Sequence, residues 1–431
     1  MDGADCLQDF LPHLGMMSRM IGFDPVGGLP VNASTTPDDR LLAYRDRFPI
    51  LAHTNYLISN SLGAVPAAAY DRMREYIETW AARGVRAWEE TWWTLAADLG
   101  NLVAPLIGAG RDEIVFQPNV TLSHAIIFSA FDFHSTRCRI VTDAMHFPSI
   151  LYLLNEQRAI GAEVVIVPSD DGISVETDRI VAAIDERTAF VSVSDVLFKS
   201  SYRHEVAAIA DRARRVGAIS IVDGYQAVGS VPVDVRQIGV DVYIGGCLKW
   251  LCGGPGAAFL WVDPAVRDRL TPRLTGWMSH ARPFEFSPVL DRRTDAWRFL
   301  HGTPNIPALY AARAGLEIVN EVGVAAIRAK SERQTARLLA LADARGFACN
   351  TPRDPARRGG TIAIDVEHGE EVSRGLKAID VLCDYRPGAG IRFSPHFYTR
   401  DDELEAAIEA TAEILSGNAW RAFTSRRSPV S

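Results

Sequence analysis

A lysine and an aspartate follow two strand-like segments that are neighbours in the chain. Asp223 ends the run Ile219 to Val222, and Lys249 follows the run Val242 to Ile244 within a glycine-rich turn. A lysine amine forms imines with carbonyl compounds, and a carboxylate keeps a nearby nitrogen protonated. Because the carboxyl ends of parallel strands border the ligand crevice of an α/β sheet, the pair is placed for such chemistry. A structural ion pair is the alternative.

Strand-like and helix-like segments alternate from Arg40 onward, which predicts an α/β fold with a mainly parallel sheet and helices on both faces. The predicted strands of this part lie at 113–116, 139–142, 164–167, 190–193, 219–222, 242–244 and 257–262. After Pro352 to Pro355, shorter segments predict a smaller α+β domain. We therefore expect an N-terminal arm at 1–40, a large domain at 41–305 and a small C-terminal domain at 306–431.

Composition and charge argue against several classes of protein. The formal net charge is -8 and the basic residues are scattered, so we expect neither a nucleic-acid partner nor a membrane partner. The six cysteines form no CxxC pair, which favours reduced thiols and no metal site. The chain has no apolar run of roughly 20 residues, and its first residues are acidic rather than basic. These features predict a cytoplasmic enzyme that acts on small molecules.

Further motifs occur in a fixed order around the aspartate and the lysine. They are Tyr56 to Gly63, Asn119 to Thr121, Phe147 to Ser149, Gly253 to Gly256 and Ile391 to Tyr398. In this order the set resembles the class V branch of the fold-type I enzymes that use pyridoxal 5'-phosphate (PLP). That branch includes kynureninases, cysteine desulfurases and isopenicillin N epimerase-like proteins. The resemblance runs from about Asn55 to Trp420.

The resemblance implies an aspartate aminotransferase-like transferase fold, PLP as the cofactor and an amino-acid-like substrate. Lys249 becomes the Schiff-base lysine, Asp223 the partner of the pyridine nitrogen, and Arg392 the bidentate ligand of the substrate α-carboxylate. Asn60 and Ser61 join the substrate site. The cofactor-binding residues that it implies are Val120, Thr121, Phe147, Ser200, Asp223, Gln226, Lys249, Trp277, Gly302 and Thr303. Since the Gly302 loop resembles one that reaches the phosphate of a partner subunit, we expect a homodimer with shared active sites.

The sequence departs from kynureninases and desulfurases at the positions that set their reactions. Leu248 stands where kynureninases have the tyrosine before the lysine, and Gln226 stands where they have a histidine. Cys383 lies in a strand-like context that predicts a buried, inert thiol rather than a desulfurase nucleophile. Both reactions are therefore disfavoured.

The pattern predicts a PLP-dependent enzyme for an unusual amino acid or conjugate, in natural-product tailoring. The favoured reaction is β-elimination of the carbon-sulfur lyase type through a carbanion at Cα. An aminotransferase, a decarboxylation-coupled deaminase and a non-catalytic interaction protein are the alternatives. Lys199, His146 and His204 are open: each is either an acid or base near the cofactor or an ordinary structural or solvated residue.

Overall fold

The computed structural model describes residues 39–424, so all but the last two positions of the predicted N-terminal arm lie outside the described residues. The strands of the described part are short. They are β1 (Asn55–Tyr56), β2 (Ile114–Gln117), β3 (Arg139–Asp143), β4 (Glu163–Val167), β5 (Thr188–Ser194), β6 (Ile219–Asp223), β7 (Val242–Gly246), β8 (Ala258–Val262), β9 (Ala348–Cys349), β10 (Ile362–Asp365), β11 (Val381–Leu382), β12 (Asp384–Arg386) and β13 (Gly390–Phe393).

The helices alternate with these strands as the sequence predicts. They are α1 (Ala68–Arg83), α2 (Trp93–Ile107), α3 (Val120–Phe128), α4 (Pro148–Glu156), α5 (Thr177–Ala183), α6 (Val206–Val216), α7 (Val235–Ile238), α8 (Ile306–Val322), α9 (Val324–Ala344), α10 (Gly369–Ala378) and α11 (Asp401–Ser416). The predicted helix 88–107 is interrupted, because Trp88–Trp92 forms a π-helical turn before α2 begins. None of the helices within residues 39–424 combines the length and apolar character that crossing a membrane requires.

The large sheet has seven strands in the order β2-β8-β7-β6-β5-β3-β4. All neighbouring pairs from β7 to β4 are parallel, while β8 runs antiparallel to both β7 and β2. Since β6 and β7 are adjacent and parallel, their carboxyl ends meet at one edge of the sheet. The predicted α/β fold with a mainly parallel sheet is confirmed.

The strands β5 to β8 are buried along their whole length, as strands covered by helices on both faces must be. Successive side chains enter different apolar clusters: Val242 and Ile244 join one, and Tyr243 between them joins the other. Burial of each such side chain contributes about 1.5–3 kcal/mol. This two-sided packing fixes the strand ends at which Asp223 and Lys249 lie.

A second, four-stranded antiparallel sheet has the order β12-β13-β10-β9. Its apolar side packs with α9, α10 and α11 in a separate cluster that includes Leu338, Ile364, Phe393 and Leu404. The strand β1 pairs with β11 in parallel, which joins an early segment of the chain to this region. The division of the chain at residues 305 and 306 stays a prediction.

Candidate functional site

Asp223 and Lys249 line one cavity at the carboxyl edge of the large sheet. Asp223 is the last residue of β6, and Lys249 lies three residues beyond the end of β7. The cavity has a volume of about 210 Å³. Its lining residues are Asn119, Val120, Thr121, Phe147, Ser149, Ile150, Ser194, Val196, Phe198, Asp223, Tyr225, Gln226, Leu248 and Lys249. Six of the ten residues predicted for cofactor binding are thus brought together.

The Lys249 amine lies between charged groups and aromatic rings. Burial and the positive charge of Arg392 lower its pKa, the negative charge of Asp223 opposes the shift, and the net pKa is about 7. Nζ lies 5.8 Å from the centre of the Phe147 ring and 4.5 Å from the centre of the Tyr225 ring. A lysine with this pKa is largely neutral slightly above pH 7, and a neutral amine is the nucleophile that imine formation needs.

Asp223 is a buried carboxylate at the other side of the same cavity. One of its oxygens accepts the backbone N–H of Tyr225 at 2.8 Å. Burial raises the pKa of Asp223, while His124, this N–H group and Lys249 lower it. A buried carboxylate favours a cationic partner, because an unpaired charge away from water is expensive. A protonated ring nitrogen is such a partner.

Two histidines lie close to Asp223. One ligand atom each from His124, His146 and Asp223 lie within 4.8 Å of one another, and all three side chains are buried. Burial lowers the pKa of both histidines, which favours their neutral forms. Nδ1 of His124 donates to the Val120 carbonyl at 2.9 Å, and its Nε2 has no hydrogen-bond partner among residues 39–424. Such a set could also hold a metal ion, but only by using the carboxylate that faces the cavity.

The N-terminus of α3 supplies a place for an anion. Asn119 caps the helix, because its Oδ1 accepts the N–H of Leu122 at 2.8 Å. Val120 and Thr121 open the helix and line the cavity, and the first N–H groups of a helix have no acceptor within it. A phosphate is stabilised at such a position by these donors and by the helix dipole.

The residues in the cavity therefore fit PLP. Lys249 offers the amine for its aldehyde, Asp223 the carboxylate for its ring nitrogen, α3 the N-terminus for its phosphate, and Phe147 an aromatic face. An amine, a carboxylate and a helix N-terminus within a largely apolar lining match a cofactor that carries an aldehyde, a ring nitrogen and a phosphate.

Four predicted cofactor residues lie elsewhere in the single chain. The Ser200 hydroxyl is buried and donates to the Ile173 carbonyl at 2.6 Å. Trp277 is 38% exposed and lines a separate groove. Gly302 and Thr303 line another small depression beside β2. Within the described residues, none of these four side chains or glycines lines the Lys249 cavity.

The predicted substrate residues Asn60, Ser61 and Arg392 differ in their burial and in their bonding. Both polar atoms of the Asn60 side chain are buried without a hydrogen-bond partner among the described residues, and Ser61 is half-buried. Arg392, in β13, donates to both oxygens of Asp384 and to the Phe198 carbonyl. The positive charge of Arg392 lowers the pKa of Lys249, so the two side chains interact electrostatically.

The residues left open by the sequence have structural partners. The Phe147 N–H donates to Nδ1 of His146 at 2.8 Å, and Nδ1 of His204 donates to the Ser194 carbonyl at 2.8 Å. Lys199 is half-buried, with its amine beside Gly388. These contacts orient the segments around the cavity, and none of the three side chains lines it.

Sequence reasoning did not single out Tyr225, Phe198 or Ile150 as lining residues. A signal existed for Tyr225, since an aromatic residue two positions after a strand-end aspartate falls beside the same crevice. Phe198 and Ile150 carry no comparable signal, because apolar residues in such segments are usually core.

Comparison with known proteins agrees with this site. A family model described as aminotransferase class-V matches residues 55–392. The chain belongs to the aminotransferase class-V family. A kynureninase from Pseudomonas fluorescens is 32% identical over 398 residues, which covers 89% of this chain and 94% of the relative. A solved complex of the cystine C-S lyase C-DES with its product cysteine persulfide has a TM-score of 0.77 at 19% identity and covers 85% of this chain and 99% of that one.

A C-DES variant with glycine covalently linked to its PLP cofactor has a TM-score of 0.78 at 20% identity, and covers 88% of this chain and 99% of that one. The predictions of a class V PLP-dependent enzyme and of the fold-type I architecture are confirmed. The class-V chain is thus related to kynureninases and shares its fold with the C-DES structures, and its cofactor is PLP.

Proposed function

We propose that the protein is a PLP-dependent β-elimination lyase that breaks a carbon-sulfur bond in an unusual amino acid or amino-acid conjugate. The observation that carries this proposal is the position of Leu248 beside Lys249 in the cavity lining. An amine and a carboxylate provide for removal of the Cα proton, while Leu248 offers no proton donor to a leaving group. The reaction therefore suits a group that leaves as an anion.

Bound PLP withdraws electrons from the substrate and so stabilises negative charge at Cα. Arg392 binds the substrate carboxylate, and neutral Lys249 takes the proton from Cα. A thiolate then leaves Cβ with the bonding electron pair of the carbon-sulfur bond. In sum, a thioether amino acid and water give a thiol, pyruvate and ammonia.

The nature of the leaving group supports this choice of reaction. A thiol has a pKa of about 8.5, so its anion departs near neutral pH with little help from an acid. Apolar side chains of Ile150, Val196 and Phe198 line the same cavity and suit an apolar group on sulfur. We assign the enzyme to natural-product tailoring because such substrates are unusual amino acids.

Kynurenine hydrolysis is the second candidate, favoured by the 32% identity with the Pseudomonas fluorescens kynureninase. Against it, Gln226 stands where kynureninases have a histidine, and both polar ends of the Gln226 side chain already have hydrogen-bond partners. Its Nε2 donates to the Asn60 carbonyl and its Oε1 accepts the Trp250 indole N–H, each at 2.9 Å. Gln226 therefore acts as a structural bridge under the cavity.

The two candidates are separated by incubating the purified PLP-loaded enzyme with S-alkyl cysteines of increasing size, with kynurenine, and with keto acids. We expect thiol and pyruvate in equal amounts, and none with Lys249→Ala. Anthranilate and alanine from kynurenine alone would establish the second candidate. Amino transfer without pyruvate would overturn the lyase proposal in favour of an aminotransferase, and no turnover at all would favour a non-catalytic protein.

We further propose that the enzyme works as a homodimer with shared active sites. Trp277, Phe284 and Phe286 expose large apolar rings, and Gly302 and Thr303 lie outside the Lys249 cavity of their own chain. A second copy of the chain would cover the exposed rings, and its Gly302 and Thr303 could complete the cavity of the first copy. Sedimentation of the PLP-loaded protein should give twice the chain mass, and Phe284→Asp should shift it toward the monomer. A monomeric enzyme that retains full activity would contradict shared sites.

A further inference from the structure

Tyr225 forms a wall of the Lys249 cavity that the reaction proposed above does not use. The residue follows Asp223 by two positions, where the chain leaves β6. The face of its ring lies 4.5 Å from Nζ of Lys249, which is closer than the 5.8 Å to the Phe147 ring. The lysine amine therefore lies over two aromatic rings, of which Tyr225 is the nearer.

The Tyr225 ring fits because β7 carries no side chain beside it. A Cβ atom added at Gly246 would lie 2.2 Å from Cε2 of Tyr225, well inside any tolerated contact. The observed position of the Tyr225 ring therefore requires glycine at position 246. Gly246 belongs to the strand that leads to Lys249, so the same strand end places both the amine and the gap for the ring.

The contact between this ring and Lys249 is attractive when the amine is protonated, and is an ordinary packing contact when the amine is neutral. A lysine ammonium over a tyrosine face within about 6 Å is attracted by the ring quadrupole, and the attraction grows as water is removed. Burial raises the pKa of the Tyr225 hydroxyl, so the ring stays neutral at physiological pH. A neutral, half-buried ring confines the amine without adding a competing charge.

We propose that Tyr225 is a positioning residue that, together with Phe147, confines the Lys249 amine in the orientation from which it reacts with the cofactor. Gly246 contributes to this positioning, because it provides the space that the tyrosine ring occupies. The proposal concerns the ring face of Tyr225, and the hydroxyl has no part in it.

The first test measures how Lys249 reacts in the protein freed of cofactor. Tyr225→Ala should slow imine formation with pyridoxal, followed by absorbance, and raise the PLP dissociation constant. Both effects should be about tenfold, the upper range for loss of one aromatic contact. Tyr225→Phe keeps the ring face and should stay within about twofold of the wild type in both measurements. Circular dichroism and the thermal midpoint control for folding. Equal losses in Tyr225→Phe and Tyr225→Ala, or no loss in either, would overturn the proposal.

The second test is a double-mutant cycle between Tyr225 and Gly246. Gly246→Ala must displace the ring, so it should weaken PLP binding about as much as Tyr225→Ala does. In the Tyr225→Ala background the added methyl group meets no ring, and Gly246→Ala should then change PLP binding by less than about twofold. An equal loss in both backgrounds would mean that Gly246 acts independently of Tyr225, and its proposed contribution to this positioning would be wrong.

Discussion

Arg392 donates through Nε and Nη2 to the two carboxylate oxygens of Asp384, at 2.7 and 2.5 Å. Both residues are buried, and Nη1 of Arg392 also donates to the Phe198 carbonyl. A guanidinium has five N–H donors, so these three bonds leave two for a substrate carboxylate. Asp384 thus orients the Arg392 guanidinium through its Nε and Nη2 atoms.

Asp384→Asn should destabilise the protein strongly, because it leaves the buried Arg392 charge without its anion. We expect a loss of about 3 kcal/mol in the free energy of unfolding, together with a higher KM for amino-acid substrates. The matched control is Asp343→Asn, which breaks a bidentate pair with Arg353 at the exposed surface. The control should change stability far less, and equal changes in denaturant unfolding would mean that burial of the Arg392 pair is unimportant.

The same pair predicts a dependence of stability on pH. Burial alone would raise the pKa of Asp384, but the hydrogen bonds and charges of Arg392 and Arg386 lower it overall. The ionised form is therefore favoured in the folded state. Its stabilising effect is present above the ordinary carboxyl pKa of about 4 and is lost as the pH falls through the lowered value. The stability difference between wild type and Asp384→Asn should shrink below pH 4, and a constant difference would contradict this origin.

Lys249 should react with aldehydes at an unusually low pH. Burial lowers its pKa to about 7, so in cofactor-free protein the nucleophilic neutral amine disappears as the pH falls below about 7. The rate of imine formation with pyridoxal, measured from pH 5 to 9, should have its midpoint near 7. Lys249→Ala gives the background from the other lysines. A midpoint near 10 would show that the amine is solvated like an ordinary lysine.

The positions of Asp223 and Lys249 were predictable because strand ends are encoded locally. Buried runs before Asp223 and Lys249 predict β6 and β7, and their adjacency follows from the alternation of strands and helices. Val120, Thr121 and Phe147 were predictable from the order of the motifs, and they line the same cavity. Their individual contacts with a cofactor remain predictions.

Contacts made across the fold were not predictable in this way. The position of the Tyr225 ring depends on the missing Cβ of Gly246, on a neighbouring strand, and spacing does not encode such a contact. Likewise, the bond from Ser200 to the Ile173 carbonyl joins segments whose approach only the packed fold determines. Trp277 and Thr303 line depressions other than the Lys249 cavity, and a sequence motif alone does not predict this separation within one chain.

We expect the N-terminus of α3 to have two roles, a helix cap and a phosphate site, that substitutions can separate. Asn119→Ala removes the cap on the Leu122 N–H and should reduce the free energy of unfolding by about 1 kcal/mol. Asn119→Asp keeps an acceptor and should preserve most of that stability. Thr121→Val leaves the cap intact, so it should weaken PLP binding with a smaller effect on thermal unfolding. If Thr121→Val left the PLP dissociation constant unchanged, its hydroxyl would have no part in holding the phosphate.

Leu248→Tyr should shift the reaction toward kynurenine hydrolysis. The substitution puts a phenol beside Lys249 in the cavity, where the resemblance implies that kynureninases carry a proton donor. A positioned general acid typically contributes 10²–10⁴-fold, so even an imperfect placement should raise anthranilate production from kynurenine at least about tenfold. Leu248→Phe adds a ring of similar size without the hydroxyl and should give no such increase. The ratio of anthranilate formation to thiol release, measured on both variants, shows whether the reaction has shifted. An equal rise in both variants would assign the effect to shape, and no rise in either would show that Leu248 does not set the reaction.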